Sequence, residues 1–147
     1  MSVELIHAAY NPETGISTAT INTELGKFIG ESKLHEEDKD IESTFAGCHY
    51  AEMRALIKYM KKHIEILKYE IKGIEKVEKA MMNKKEYLHN SSEARTLRKQ
   101  KKILEKERDE WKSRVGSLHQ KMYDMMKNRR RTLGEMINKN KGDDKKW

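Results

Sequence analysis

Cys48 and His49 place a thiol next to an imidazole, the pairing from which nucleophilic catalysis is built. On a helix, however, adjacent side chains diverge by about 100 degrees, so these two cannot act as nucleophile and base. His35 with Asp38 and Asp40, and His49 with Glu52, bring together metal-ligand types, yet neither set reaches a full ligand complement at a recognisable spacing. An acidic helix start explains the first group, and a surface pair three residues apart explains the second. Walker, GxGxxG, GxSxG and HExxH patterns do not occur. Phosphodiester hydrolysis would need metal ligands or a paired His arrangement that these residues do not assemble. The expectation is a protein that binds without turnover and uses no cofactor and no metal.

Binding chemistry is better represented. Arg95, Arg98, Lys99, Lys101 and Lys102, and further on Arg129, Arg130 and Arg131, could contact phosphates. Glu105, Glu107, Asp109 and Glu110 interrupt the run, and mixed signs at helical spacing read first as a solvated face. Nucleic acid is therefore the rival partner and not the favoured one.

The elements that would carry these residues follow from composition. The 147 residues are 37% charged and 36% hydrophobic, with a single Pro at position 12, so long helices are permitted throughout the remainder. Residues 1–50 hold three Lys and nine acids, net −6, whereas residues 51–147 hold 28 basic and 15 acidic residues, net +13. An acidic N-terminal module joined to a basic helical one is the expected organisation. No apolar run approaches the roughly 18 to 20 residues that cross a bilayer, and residues 1–11 lack a secretory pattern. The single cysteine suits a reducing cytoplasm.

Residues 3–9 and 16–22 read as strands around Asn11-Pro12-Glu13-Thr14-Gly15, and a third strand follows Thr23-Glu24-Leu25-Gly26. In that third strand Phe28, Gly30, Ser32 and Leu34 share one face. Asp40 and Ser43 can cap a first long helix, and Ser91 or Ser92 a second, with the turn near 87–92. Met53, Ile57, Met60, Ile64, Leu67, Ile71, Ile74 and Met81 keep a four-three spacing broken at Glu78. Leu97, Leu104, Trp111, Leu118 and Met125 form one row of the second helix, and Lys101, Arg108, Val115, Met122 and Met136 the other. A turn centred near Asn90 would set Lys101 beside Glu78, as a register pair or part of a ligand site, and Arg108 beside Ile71 or Ile74. Gly116 could admit a neighbouring helix.

The fold class expected is α+β and mostly α: an antiparallel β-meander with an acidic helix start (1–43), a long helical hairpin (44–139) and a flexible basic tail (140–147). Helices of about 42 and 46 residues extend on the order of 60 to 70 Å and give one hairpin little core. Heptad seams would then bring a homodimer or tetramer together.

The stretches YNPETGIST, GKFIGESKLHEEDKD and ESTFAGCHYAEMRA, spanning 10–55, resemble a group of small proteins from phages of Gram-positive hosts. In that group a hairpin module precedes one or two long helices. The architecture is similar to anti-defence sponges that hold immune nucleotide signals, including those of cyclic-oligonucleotide (CBASS) defence. What the resemblance implies is an immune-evasion homo-oligomer in the host cytoplasm, sequestering a cyclic nucleotide, with a cyclic dinucleotide favoured, in pockets between subunits.

Such a ligand offers base faces, base edges and phosphates. For the pocket implied, Tyr10, Phe28 and Tyr50 could stack on bases, and Lys27, Lys33, His35 and Arg54 could meet phosphates. Asn11, Thr18, Thr20, Asp40 and Ser43 could read base edges. Each also has an ordinary role: Phe28 in the sheet core, Tyr10 as a turn anchor, Arg54 beside an acid, and Lys27 and Lys33 as edge-strand charges. The alternatives are a nucleic-acid-binding hairpin working through its basic helices and a coiled-coil interaction factor.

Overall fold

The computed structural model describes residues 2–33, 41–84 and 91–144, with side chains described except for 41–45 and 129–144. Three antiparallel strands, β1 (Val3–Asn11), β2 (Ile16–Thr23) and β3 (Gly26–Lys33), form a sheet of order β1-β2-β3. Two helices follow, α1 (Ile41–Met82) and α2 (Ser92–Asp144). The expected α+β architecture is the one observed.

Turn chemistry fixes the meander. Asn11 Oδ1 accepts from the Glu13 amide at 2.9 Å and its carbonyl accepts from Gly15 N at 2.8 Å, while Gly15 takes φ 70°. Between the paired residues Thr23 and Gly26 the Thr23 hydroxyl donates to the Gly26 carbonyl at 2.8 Å and accepts from Leu25 N at 3.1 Å. Gly26 at φ 113° closes this second turn.

Alternation then sorts the sheet into two faces. Ser17, Ala19 and Ile21 of β2 and Gly30 and Ser32 of β3 are buried, and α1 lies across these two strands. Gly30 is the closest point. A Cβ there would come within 2.0 Å of the Ala51 carbonyl oxygen and 2.4 Å of Ala55 N, so the backbone of α1 rests directly on β3. Ala51 and Ala55 keep that face of the helix small, and Tyr59, one turn further, closes it against Ile21. On the outer side Arg54 Nη1 donates to Glu31 O at 2.7 Å and Lys58 Nζ to Ile29 O at 2.6 Å. Two cations of α1 thus occupy carbonyls of β3, which is an edge strand.

The expected seam of α1 is buried at Met53, Ile57, Ile64, Leu67 and Ile71, and α2 packs on it through Leu104, Trp111 and Val115. The register differs from expectation. Lys101 Nζ pairs with Glu75 at 3.3 Å and not with Glu78, and Arg108 bonds Asp109 on its own helix at 3.2 Å. The reason lies in the helix ends: α1 stops at Met82 and α2 starts at Ser92, so the connection centres on position 87 and not on Asn90. Among the described residues, Glu78 Oε1 is left buried with no hydrogen-bond partner.

Ser91 caps α2, its hydroxyl accepting from Ala94 N at 3.2 Å. With no proline to stop it, α2 continues to Asp144, beyond the expected limit at 139. Residues 145–147 of the expected tail lie outside the described residues. The chain divides into two compact units, residues 1–115 and 116–147. In the second unit Gln120 bonds Asp124 at 3.0 Å along the helix, and the space around a Cβ at Gly116 is open.

Candidate functional site

Tyr59, on the sheet-facing side of α1, has 0% exposure and its hydroxyl donates to Glu24 Oε1. A buried phenol without an acceptor would be costly, and the β2–β3 turn supplies one. The same Glu24 oxygen lies 3.2 Å from His63 Nε2, one turn further along α1. His63 in turn lies flat on Trp111 of α2, with ring centroids 4.2 Å apart and planes within 6°. Tyr59 meets His63 edge-on at 4.8 Å and Trp111 edge-on at 6.0 Å. The Arg114 guanidinium sits 4.7 Å from the indole centroid. One turn and two helices therefore meet at a single polar-aromatic cluster.

Electrostatics follow from this geometry. The Tyr59 hydroxyl, with smaller help from its own and the Ser2 amides and from His63, holds the Glu24 carboxyl at about 2 instead of 4.5. Burial, and then the Glu24 carboxylate, push the Tyr59 phenol well above its usual value. The pair stays as neutral phenol and carboxylate over the ordinary pH range. Its chemical capacity is to hold position.

Beside this cluster, on the other flank of the α1–α2 seam, runs a groove of about 390 Å³ lined by Lys61, Ile64, Glu65, Lys68, Lys112 and Val115. Ile64 and Val115 give it an apolar floor, since both belong to or pack on the core. Glu65, the one acid of the lining, is engaged by Lys62 at 3.6 Å. The groove therefore carries excess positive charge over a hydrophobic base, which suits an anion with a flat or apolar body. Of the groove lining, Lys112 directly follows Trp111 on α2 and Val115 lies one turn beyond it.

Within one chain, the described residues among those expected from sequence to line a pocket are spread over both faces of the sheet and along α1. Phe28 faces the helix, packs edge-on against Tyr59 at 5.8 Å and is partly buried against the core. Tyr50 is buried on α1. Arg54 serves the β3 edge through the Glu31 carbonyl, and Asn11 serves its turn. Tyr10, paired with Ser17, lies on the helix side of the sheet, whereas Thr18, Thr20, Lys27 and Lys33 lie on the opposite face. A three-stranded sheet covered on one side separates alternate residues, and this set mixed both parities. His35 and Asp40 lie outside the described residues, as does the side chain of Ser43.

Glu24, Tyr59 and His63 were missed by sequence reasoning. The signal was the four-residue spacing of Ala51, Ala55, Tyr59 and His63, a second stripe on α1 beside the heptad seam. Cys48 is a free, half-buried thiol. Among the described residues no group of three or more His, Cys, Asp or Glu is placed to hold a metal ion, and no helix is long and apolar enough to cross a membrane. Compared with known proteins, the chain matches no family model, no curated sequence and no solved structure.

Proposed function

We propose that this chain is a non-enzymatic binding protein that captures a nucleotide signal, a cyclic dinucleotide foremost, and holds it uncleaved as a homo-oligomer. The observation that carries the reading is the lysine-flanked groove on α1 and α2. Its volume of about 390 Å³ falls in the roughly 300–1,000 Å³ range of small-molecule sites. Lys61, Lys68 and Lys112 offer ammonium groups for phosphates, and Ile64 and Val115 offer an apolar surface for a base or sugar. Two phosphates per ligand match a site with more cations than one phosphate needs. The setting, phage evasion of a host nucleotide defence, rests on the sequence resemblance at 10–55.

A specific observation favours a second reading. Arg95, Lys99, Lys102 and Lys106 are all exposed and fall at four-three-four spacing on α2, a cationic stripe that could follow a nucleic-acid backbone. The two readings separate in a thermal-shift experiment on the full chain with cyclic di- and trinucleotides, cyclic ADP-ribose isomers, and duplex DNA at two salt concentrations. Sequestration predicts stabilisation by one cyclic nucleotide that survives added salt, with the ligand recovered unchanged. Stabilisation by DNA alone, lost as salt rises, would replace it with the nucleic-acid reading.

A further inference from the structure

We infer that β1 is the pairing edge for a second copy of this chain: two β1 strands join antiparallel about a two-fold axis and make the two sheets one. The inference deepens the homo-oligomer of the proposed function and needs nothing of its ligand. The sheet has two edges, and among the described residues only that of β3 is guarded. There Arg54 and Lys58 of α1 occupy the carbonyls of Glu31 and Ile29. On β1, residues 3–11 contain no Lys, Arg or Pro, the residue types that deter pairing at an edge. Helix α1 lies chiefly over β3 and β2, and Leu5 and Ile6 stand 45% and 49% exposed.

The backbone shows which groups of β1 are free. Because the Ile29 and Glu31 carbonyls turn away from β2, their partners Thr20 and Thr18 turn towards β1 and meet His7 and Ala9 as hydrogen-bonded pairs. Ala8 and Tyr10 then point N–H and C=O outwards, and so do Leu5 and Val3 beyond the irregularity at Ile6. These positions are symmetric about the point between Ile6 and His7. Antiparallel pairing of two copies sets Val3 opposite Tyr10 and Leu5 opposite Ala8, with free backbone groups facing each other and side chains on one face of the sheet. Two residues intervene between Leu5 and Ala8 on both strands. An ordinary strand has one residue there and loses register; a second copy keeps it. Charge agrees. Glu4 falls opposite Ala9 of the copy and diagonal to its His7. The two Glu4 carboxylates stand roughly 17 Å apart along the strands, beyond the screening length of about 8–10 Å.

The test is sedimentation equilibrium of the full chain without ligand, for wild type, Leu5→Lys and Ala8→Pro, together with disulfide trapping. For trapping, Glu4→Cys and Ala9→Cys are each combined with Cys48→Ala, mixed and oxidised. We expect Leu5→Lys and Ala8→Pro each to halve the mass found at a concentration where wild type is assembled. The mixed cysteine chains should form a covalent dimer that neither forms by itself, since positions 4 and 9 meet across the axis and like positions do not. Trapping introduces neither proline nor charge at the edge, so it reads the pairing even where the other variants fold poorly. A monomeric wild type overturns the pairing together with the homo-oligomer. An oligomer whose mass neither variant changes, or mixed chains that stay unlinked, overturns the pairing alone, and nucleotide binding in the groove is read separately from both.

Discussion

His63 lies flat against Trp111, 4.2 Å between ring centroids and 6° between planes, and this stack is where the sheet, α1 and α2 are brought into one register. His63 also reaches Glu24 in the β2–β3 turn, while the residue after Trp111 lines the lysine groove.

Stability should depend on acid through Glu24. Its carboxyl is depressed in the folded state to about 2 from an ordinary 4.5, so its contribution is fully present above about 4.5 and is lost as pH falls through about 2. Denaturant melts across that window should show wild type losing stability relative to Glu24→Gln, with the two curves converging at the acid end. Parallel curves would mean that the Tyr59–Glu24 bond adds nothing.

Gly30 and Gly73 should respond in opposite directions to alanine. At Gly30 the new methyl meets the backbone of Ala51 and Ala55, and forcing α1 off β3 should cost roughly 1–3 kcal/mol. At Gly73 the methyl meets nothing, and the gain should be about 0.5–1 kcal/mol. Chemical denaturation of both variants checks the pair.

Leu67 is buried in the seam shared by α1 and α2. Leu67→Ala should cost roughly 2–5 kcal/mol, read as a lower denaturation midpoint at constant slope. A loss below about 0.5 kcal/mol, the range of surface changes, would show that the hairpin does not pack as described.

Much of the architecture was legible. Asn11-Pro12-Glu13-Thr14-Gly15 and Gly26 announce their turns because Asx hydrogen bonding and positive φ demand those residue types. The heptad rows announce the seam because burial repeats with the helix. The candidate site was not legible, for two physical reasons. Contacts such as Tyr59 with Glu24 span 35 residues and leave no periodic trace. Aromatic and cationic residues near the junction, Phe28, Tyr50 and Arg54, have chemistry suited equally to a ligand and to the interior or edge of a sheet, and only three-dimensional placement assigns them. Register was legible to about one turn, since it hangs on where α1 ends.

Sequestration, as proposed, requires the chain to take up a nucleotide signal in the lysine groove and return it intact. The most direct measurement is to incubate the full chain with cyclic di- and trinucleotides and cyclic ADP-ribose isomers, separate bound from free by gel filtration, denature the protein and identify what is released by mass spectrometry. Sequestration predicts one nucleotide recovered uncleaved in fixed proportion to the subunit, and its loss in the Lys68→Glu, Lys112→Glu variant. Co-elution of no nucleotide, release of a cleaved product, or full retention by that variant would contradict it.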